Sequence, residues 1–450
     1  MISDRKSLSD PDGKMMMDLV ERLWPLHRTL VSDDMETTLD IIGEYLPAEG
    51  EYHKNHYPSG EKAWTWVIPE KFVVNEAYME AKIEGEYKRI VDFADNPLHV
   101  VSYSPPFSGN LSFKDLDKHL YSNPKRPDAI PWVFKYYERD WGFCMPHSTY
   151  EKLPRDCDYR VVMDTEFVAG NLGVGEFTLE GKTGDYLLIV CAICHPMQVN
   201  DSISGVAVAV DFAQRLAAVT TRDLGLKILF LPEVIGSVAY LAANEDLIPR
   251  FRCGIFTEFV GHDSPIRLQR SREDNHEWDR IARYVLNRSQ KGNFLEGAYC
   301  STVITNDEKV TNAPGVDIPT IALNRWPDGG WDRYHTSDDN PSVMIPEKLA
   351  EVSRLYDDFF RIADTNFYPR STFRGPLFLS GVGLDFDWQS DPQIKRGVRE
   401  LTYHLEGDRS AFDLAEICGL EYEMVLLVLG SMVEKGLVEG RPGLSETECG

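Results

Sequence analysis

Two histidines and three carboxylates stand where apolar stretches give way to polar loops. His195 follows LLIVCAIC, Asp201 sits in the next loop ahead of a helical pattern, Glu233 follows LKILFLP, Glu258 follows CGIFT, and His335 lies within WDRYHTSDDN. A neutral imidazole and a carboxylate on opposite lips of one loop can both reach a zinc ion, which accepts nitrogen and oxygen ligands. Acidic residues capping buried strands are costly unless they are paired, hydrogen-bonded or bound to a cation. Each residue alone has a plainer reading, as a solvated or hydrogen-bonded strand end. The set of five points to a cation site.

One competing motif overlaps this set. Cys191-Ala192-Ile193-Cys194-His195 fits the spacing of covalent haem attachment. The alternation in YLLIVCAIC is that of a buried strand, and the chain opens on MISDRKSLSDPDGK without the apolar core of a secretion signal. The two thiols are therefore read as small apolar core residues, with Cys194 placed to be reactive if a metal lies beside it.

The elements that must position these residues alternate. From Tyr159 onward, YRVVMDTEF, GVGEFTLEG, DYLLIVCAI, LKILFLPEV and CGIFTEFV read as strands, with helices expected over Gly205–Val219 and Ser237–Ala243. Buried strands separated by helices imply a parallel or mixed sheet covered on both faces, whose active site gathers beyond the carboxyl ends of its strands. Ahead of this region, helical patterns cover Met15 to Leu30 and Asp33 to Tyr45, the second capped at Ser32/Asp33. Between them, residues 51–149 have the short aromatic and β-branched runs of a small β-rich unit. After a helix near Pro346–Ala363, the Pro/Gly-containing FYPRSTFRGPLFLSG reads as a boundary. The tail beyond it matches helix, turn, helix and wing. The expected organisation is a discontinuous α/β domain (1–50 and 150–366), an insert (51–149) and a C-terminal unit (367–450).

At 450 residues the chain exceeds one ordinary core, which agrees with several units. A net charge of −25 repels nucleic-acid phosphates and anionic lipid, and no apolar run approaches a membrane span, so neither partner is expected and the cytoplasm is the default compartment. The eight cysteines lack the spacing of a disulfide framework and read as reduced thiols. In the tail, EYEMVLLVLGSMVEK offers glutamates and aliphatics where a DNA-reading helix needs Arg, Lys or Asn, and acids outnumber bases by about two to one beyond Gln393. It reads as a docking or oligomerisation module, so a homo-oligomer is compatible with the chain.

The ordered motifs ICHPMQVNDSISG, LFLPEVIGSVAYL, TEFVG, LQRSR, NDEKVTNAPG and YHTSDDN resemble bacterial aminopeptidase-like proteins related to zinc leucine aminopeptidases, glutamate carboxypeptidase and glutaminyl cyclases. Upstream, IPWVFKYYERDWGFC resembles that family's inserted β domain, and the tail resembles its winged helix. The resemblance implies a mixed sheet between helices holding one or two zinc ions, with Asp201 as bridging ligand, His195 and Glu258 completing one site and His335 belonging to the other. The di-zinc relatives carry two adjacent glutamates where this chain has Glu233-Val234. Glu233 is assigned as general base, because hydrolysis needs a proton shuttle. The family's Arg and Tyr in the segment before Pro-Gly are replaced by Lys309 and Thr311. The expected activity is amide or peptide hydrolysis on a small peptide or aminoacylated small molecule, with Asp307 or Glu308 holding an α-ammonium and Arg272 or Arg325 a carboxylate. A single-zinc cyclase or acyl transferase, and a non-catalytic binding protein on the same scaffold, are the alternatives.

Overall fold

The computed structural model describes residues 8–136, 138–300, 306–383 and 392–443. The opening MISDRKS, Cys449 and the last residues of the tail lie outside them. The architecture is a large mixed sheet between helices, as the alternation of apolar runs implied. Its eight strands run in the order Glu51–Pro58, Asn171–Leu179, Gly225–Leu231, Tyr186–Ala192, Phe251–Thr257, Thr320–Asn324, Arg267–Gln269 and Leu295–Gly297. The central four are mutually parallel, and every residue in them is buried except Arg252, so both faces are covered. That burial is why their sequences are unbroken apolar runs.

Helices Gly13–Leu23, Ser204–Ala217, Pro346–Thr365 and Glu277–Ser289 pack against one another in one layer. Helix Asp33–Tyr45 starts where expected: the Ser32 hydroxyl accepts from the Met35 N–H at 3.2 Å, with Asp33, Asp34 and Glu36 in the first turn complementing the helix dipole. The helical pattern read over Met15 to Leu30 stops at Leu23. Trp24 keeps helical backbone, but Pro25 lacks the N–H that would continue the ladder, and residues 26–31 run as irregular chain, with Arg28 and Thr29 buried.

Two strands exchange places relative to the sequence reading. Glu51–Pro58, expected in the insert, is an edge strand of the large sheet, paired antiparallel with Asn171–Leu179. Asp158–Val168, expected in the large sheet, instead joins the small antiparallel sheet, between Lys71–Ile83 and Phe107–Ser112. The reason is visible in its burial: Tyr159, Val161, Met163 and Thr165 are buried while Asp158, Arg160, Asp164 and Glu166 are exposed, the alternation of a one-sided sheet. In the tail, helices Pro392–Leu401, Ala411–Cys418 and Tyr422–Glu434 are followed by Val438–Pro442, which pairs with Phe367–Ser371 rather than forming its own hairpin. The stretch read as a boundary thus contributes a strand to the tail. Arg280 on helix Glu277–Ser289 ties the tail down through Asp413 and Glu416. No described helix is long and apolar enough to cross a membrane.

Candidate metal centre

Parallel strands end on one edge, and that edge collects the chemistry. His195 lies beyond strand Tyr186–Ala192, Glu233 beyond Gly225–Leu231, Glu258 directly after Phe251–Thr257, and His335 in the loop after Thr320–Asn324. His195 Nε2 lies 3.7 Å from Asp201 Oδ1 and 3.4 Å from Glu233 Oε2, and His335 Nε2 lies 3.0 Å from Asp201 Oδ2. The two oxygens of Asp201 therefore face two different imidazoles. Donor atoms of His195, Asp201 and His335 all lie within 4.8 Å of one another, and so do those of Cys194, His195 and Glu233. Glu258 stands outside both groups, although the charges of Asp201 and Glu233 act on it.

The electrostatics are those of a site built for positive charge. Burial lowers the His195 pKa to about 4, which keeps its ring neutral with a lone pair to donate. Burial opposes ionisation of Asp201, but His195, His335 and Arg28 outweigh it and hold its carboxyl below the usual range. Glu233 is pushed up to about 8 by burial and by Asp307 and Asp201, and Glu258 is driven well above the carboxylate range by burial and by Asp201 and Glu233. Crowded acids that repel one another are relieved by a cation. Three sealed atoms make the same point: among the described residues, Asp201 Oδ2, Glu258 Oε2 and His335 Nε2 make no well-formed hydrogen bond, although His335 Nε2 approaches Asp201 Oδ2 to 3.0 Å. Unpaired buried donors and acceptors are expensive, and this donor set fits zinc.

The loops are held in unusual backbone. Met197, Val234, Phe259 and His335 all have φ between 49° and 63°, so every donor-bearing loop carries one non-glycine residue in the left-handed region. Such conformations cost of order 1–3 kcal/mol each and persist where surroundings over-determine them. At Val234 the surroundings are Asp307, whose Oδ1 accepts from the Val234 N–H at 2.9 Å and the Ser237 hydroxyl at 2.6 Å. Glu233 is held from the other side, its N–H donating to Cys194 Sγ at 3.2 Å.

Asp307, read from sequence as a substrate contact, therefore positions the Glu233 turn. The other three residues in that reading are also engaged by the protein. Glu308 is buried and accepts from Gln269 Nε2 and the Asn306 N–H, both at 2.9 Å. Arg325 is buried against the carbonyls of Val260 and Ser264 and against Glu351. Arg272 pairs with Asp317 at the surface. Each of the four thus has a partner within the protein, and Asp307 Oδ2 alone among their described atoms is sealed without one.

Sequence reading missed the residues that frame the site. Trp132, from the insert, sets its ring edge against both His195 and His335, with centroids 4.5 and 4.6 Å away, and its backbone N–H donates to the His335 carbonyl at 2.7 Å. The motif IPWVF contained it, but nothing local tied it to a histidine two hundred residues on. Tyr334 stacks on His335 at 3.7 Å. Arg28 is fully buried and donates to the carbonyls of Ile193, His195 and Gln198 at 2.8, 2.5 and 3.2 Å.

Residues 17–366 match the family model described as a domain of unknown function, DUF4910. The chain belongs to the DUF4910 family. His195, Asp201, Glu233, Glu258 and His335 all fall inside its matched region, which ends just before strand Phe367–Ser371. A Clostridium acetobutylicum protein provisionally named as a polysaccharide biosynthesis protein with an aminopeptidase-like domain is 29% identical over 426 residues, covering 93% of this chain and 94% of its own. A crystal structure of a provisionally assigned peptidase from the same organism superposes with a TM-score of 0.80 at 26% identity, covering 95% and 96% of the two chains. The zinc aminopeptidase BSAP of Bacillus subtilis superposes with a TM-score of 0.57 at 13% identity, over 79% of this chain and 95% of that one. This DUF4910 chain thus has the fold of the zinc aminopeptidases.

Proposed function

We propose that this DUF4910 protein is a zinc-dependent hydrolase of amide or peptide bonds, of aminopeptidase type, acting on a small peptide or an aminoacylated small molecule. The observation that carries the reading is the convergence of His195, Asp201 and His335, with Asp201 Oδ2 and His335 Nε2 sealed and unpartnered among the described residues, beside a carboxylate that is not fully enclosed. His195, Asp201, Glu258 and His335 would hold zinc, with Asp201 between two ions if two bind, since each of its oxygens faces a different histidine. When bound, zinc supplies Lewis acidity, favouring ionised water and a polarised amide carbonyl.

Glu233 is the proton carrier. Its side chain is about a quarter exposed, against 3% for Asp201, so it is the carboxylate with access to both water and a leaving amine. It takes a proton from the attacking water at one carboxylate oxygen and returns it to the amine nitrogen. The Asp307 bond to Val234 and the Cys194 contact hold that carboxylate in place. Trp132 and Tyr334 form an aromatic wall beside the histidines, excluding water from that side and giving a substrate side chain or ring a surface to lie on.

A second reading rests on Val234. An apolar residue follows the base, so the second ion has fewer donors, and a single-zinc cyclase or acyl transferase fits the same scaffold. Metal content per chain, together with product mass on a panel of aminoacyl amides, tests both. Hydrolysis adds one water to the substrate, is abolished by chelator and returns with zinc. Loss of water or ammonia without hydrolysis favours the second reading, and activity unchanged in excess chelator overturns both.

A further inference from the structure

Asn200 and Asp339 lie among the donors yet belong to neither donor group, and both are fully buried. Asp339 stands four residues past His335. Its carboxylate accepts from the Asn200 N–H at 3.0 and 3.1 Å, from the Asp201 N–H at 3.1 Å and from Asn200 Nδ2 at 3.3 Å, and its carbonyl accepts from the Val199 N–H at 3.2 Å. Asn200 then reaches a third loop. Its carbonyl accepts from the Phe259 N–H and its Oδ1 from the Gly261 N–H, both at 2.9 Å. The loop carrying Asp201, the loop carrying His335 and the turn just beyond Glu258 are therefore joined at one pair of side chains.

We infer that Asn200 and Asp339 are positioning residues that set this chain's affinity for its cation by fixing three donor-bearing loops in one mutual arrangement; the inference rests on the metal-hydrolase reading above. Asp201, His335 and Glu258 come from loops more than fifty residues apart in sequence, and each loop already holds a residue in a disfavoured backbone conformation. The Asp339 carboxylate gathers the N–H groups of residues 200 and 201, while on the other side of the same loop the Arg28 guanidinium gathers the carbonyls of 193, 195 and 198. A carboxylate at the N–H groups and a guanidinium at the carbonyls hold the loop from both sides. Groups that orient ligands in this way typically change metal affinity by about 10–100-fold when removed.

The test uses the full chain, with zinc affinity measured by competition against a chromophoric chelator and ligand geometry by the visible spectrum of the cobalt-substituted protein. Asp339→Asn and Asn200→Ala should each weaken zinc binding by about 10–100-fold and alter the cobalt bands. The double variant should bind no worse than its weaker parent to within about twofold, because both changes break the same junction. Asp211→Asn, which removes a buried carboxylate bound to Arg215 and Ser353 away from the donors, is the control for a merely structural role: it should lower the melting temperature and leave zinc affinity alone. If either single variant folds and binds zinc as tightly as the wild type, or if the two losses multiply in the double variant, the inference is overturned. If Asp339→Asn does not fold, Asn200→Ala decides. Failure of the wild type itself to bind zinc is a separate result, one that removes the hydrolase reading and this inference with it.

Discussion

Gly205 opens the helix Ser204–Ala217 against the end of strand Phe251–Thr257. A methyl group built there would lie 1.8 Å from the Thr257 carbonyl oxygen and 2.8 Å from its carbon. Ordinary C···O contacts are about 3.3 Å or more, so Gly205→Ala forces helix and strand apart by more than an ångström. Two effects oppose each other. Alanine gains about 1 kcal/mol over glycine in helix propensity, whereas overpacking a close-packed interior costs about 1–3 kcal/mol and more when both clashing groups are backbone. Here neither group can rotate away, so the cost sits at the top of that range or beyond it and packing wins, with an expected net loss of about 2 kcal/mol or more. The displacement also reaches the site, because the Ser204 hydroxyl donates to the Asn200 carbonyl at 2.9 Å and accepts from the Val260 N–H at 3.3 Å. Zinc affinity should fall about tenfold alongside stability. Urea denaturation monitored by circular dichroism measures the first quantity and chelator competition the second. A stability loss below about 0.5 kcal/mol with unchanged zinc affinity would refute the claimed contact and its link to the donors.

Glu233→Gln should cut turnover by about 10²–10⁴-fold while zinc content stays at the wild-type level; loss of the metal instead would make Glu233 a ligand rather than a base. Zinc at a hundred times its dissociation constant should stabilise the fold by about 2.7 kcal/mol, seen as a rise in melting temperature that chelator reverses and His335→Ala removes. Trp132→Ala empties the space against both histidine rings and should cost about 3–5 kcal/mol in thermal or urea unfolding, a small effect arguing that the insert does not support the site. Burial lowers the His27 pKa to about 4 against the pull of Asp34, and its Nε2 is sealed without a partner. The unfolded chain takes up that proton below about pH 6.5 while the native chain does not, so stability is complete above 6.5 and declines as the pH falls toward 4. The decline should amount to about 1–3 kcal/mol, the lower part of that range reflecting the residue's partial exposure. His27→Phe, which keeps the edge contact with Phe93, should flatten that limb; equal acid slopes in the two proteins would count against the assignment.

The sequence by itself determined the sheet and the places where donors could stand. Strand runs such as LLIVCAIC and LKILFLP are apolar because both faces are covered, and a polar residue at the end of such a run marks the strand's exit, so His195, Glu233 and Glu258 were legible one by one. Strand alternation was legible too: the exposed Arg160, Asp164 and Glu166 against buried Tyr159, Val161 and Met163 mark a one-sided strand, although which sheet it joined was not. The end of the first helix was misread, the helical pattern being carried through Pro25 to Leu30 although the helix stops at Leu23. The tertiary structure alone decided the rest. Asp307, Glu308, Arg272 and Arg325 looked available as charges and are engaged by partners that no local pattern names. Arg28, Trp132 and Asp339 act on groups more than a hundred residues away. Periodicity reports only whether a side chain faces the core or the solvent; which side chain it meets there depends on how parallel strands align their ends, and that is set by packing across the whole sheet.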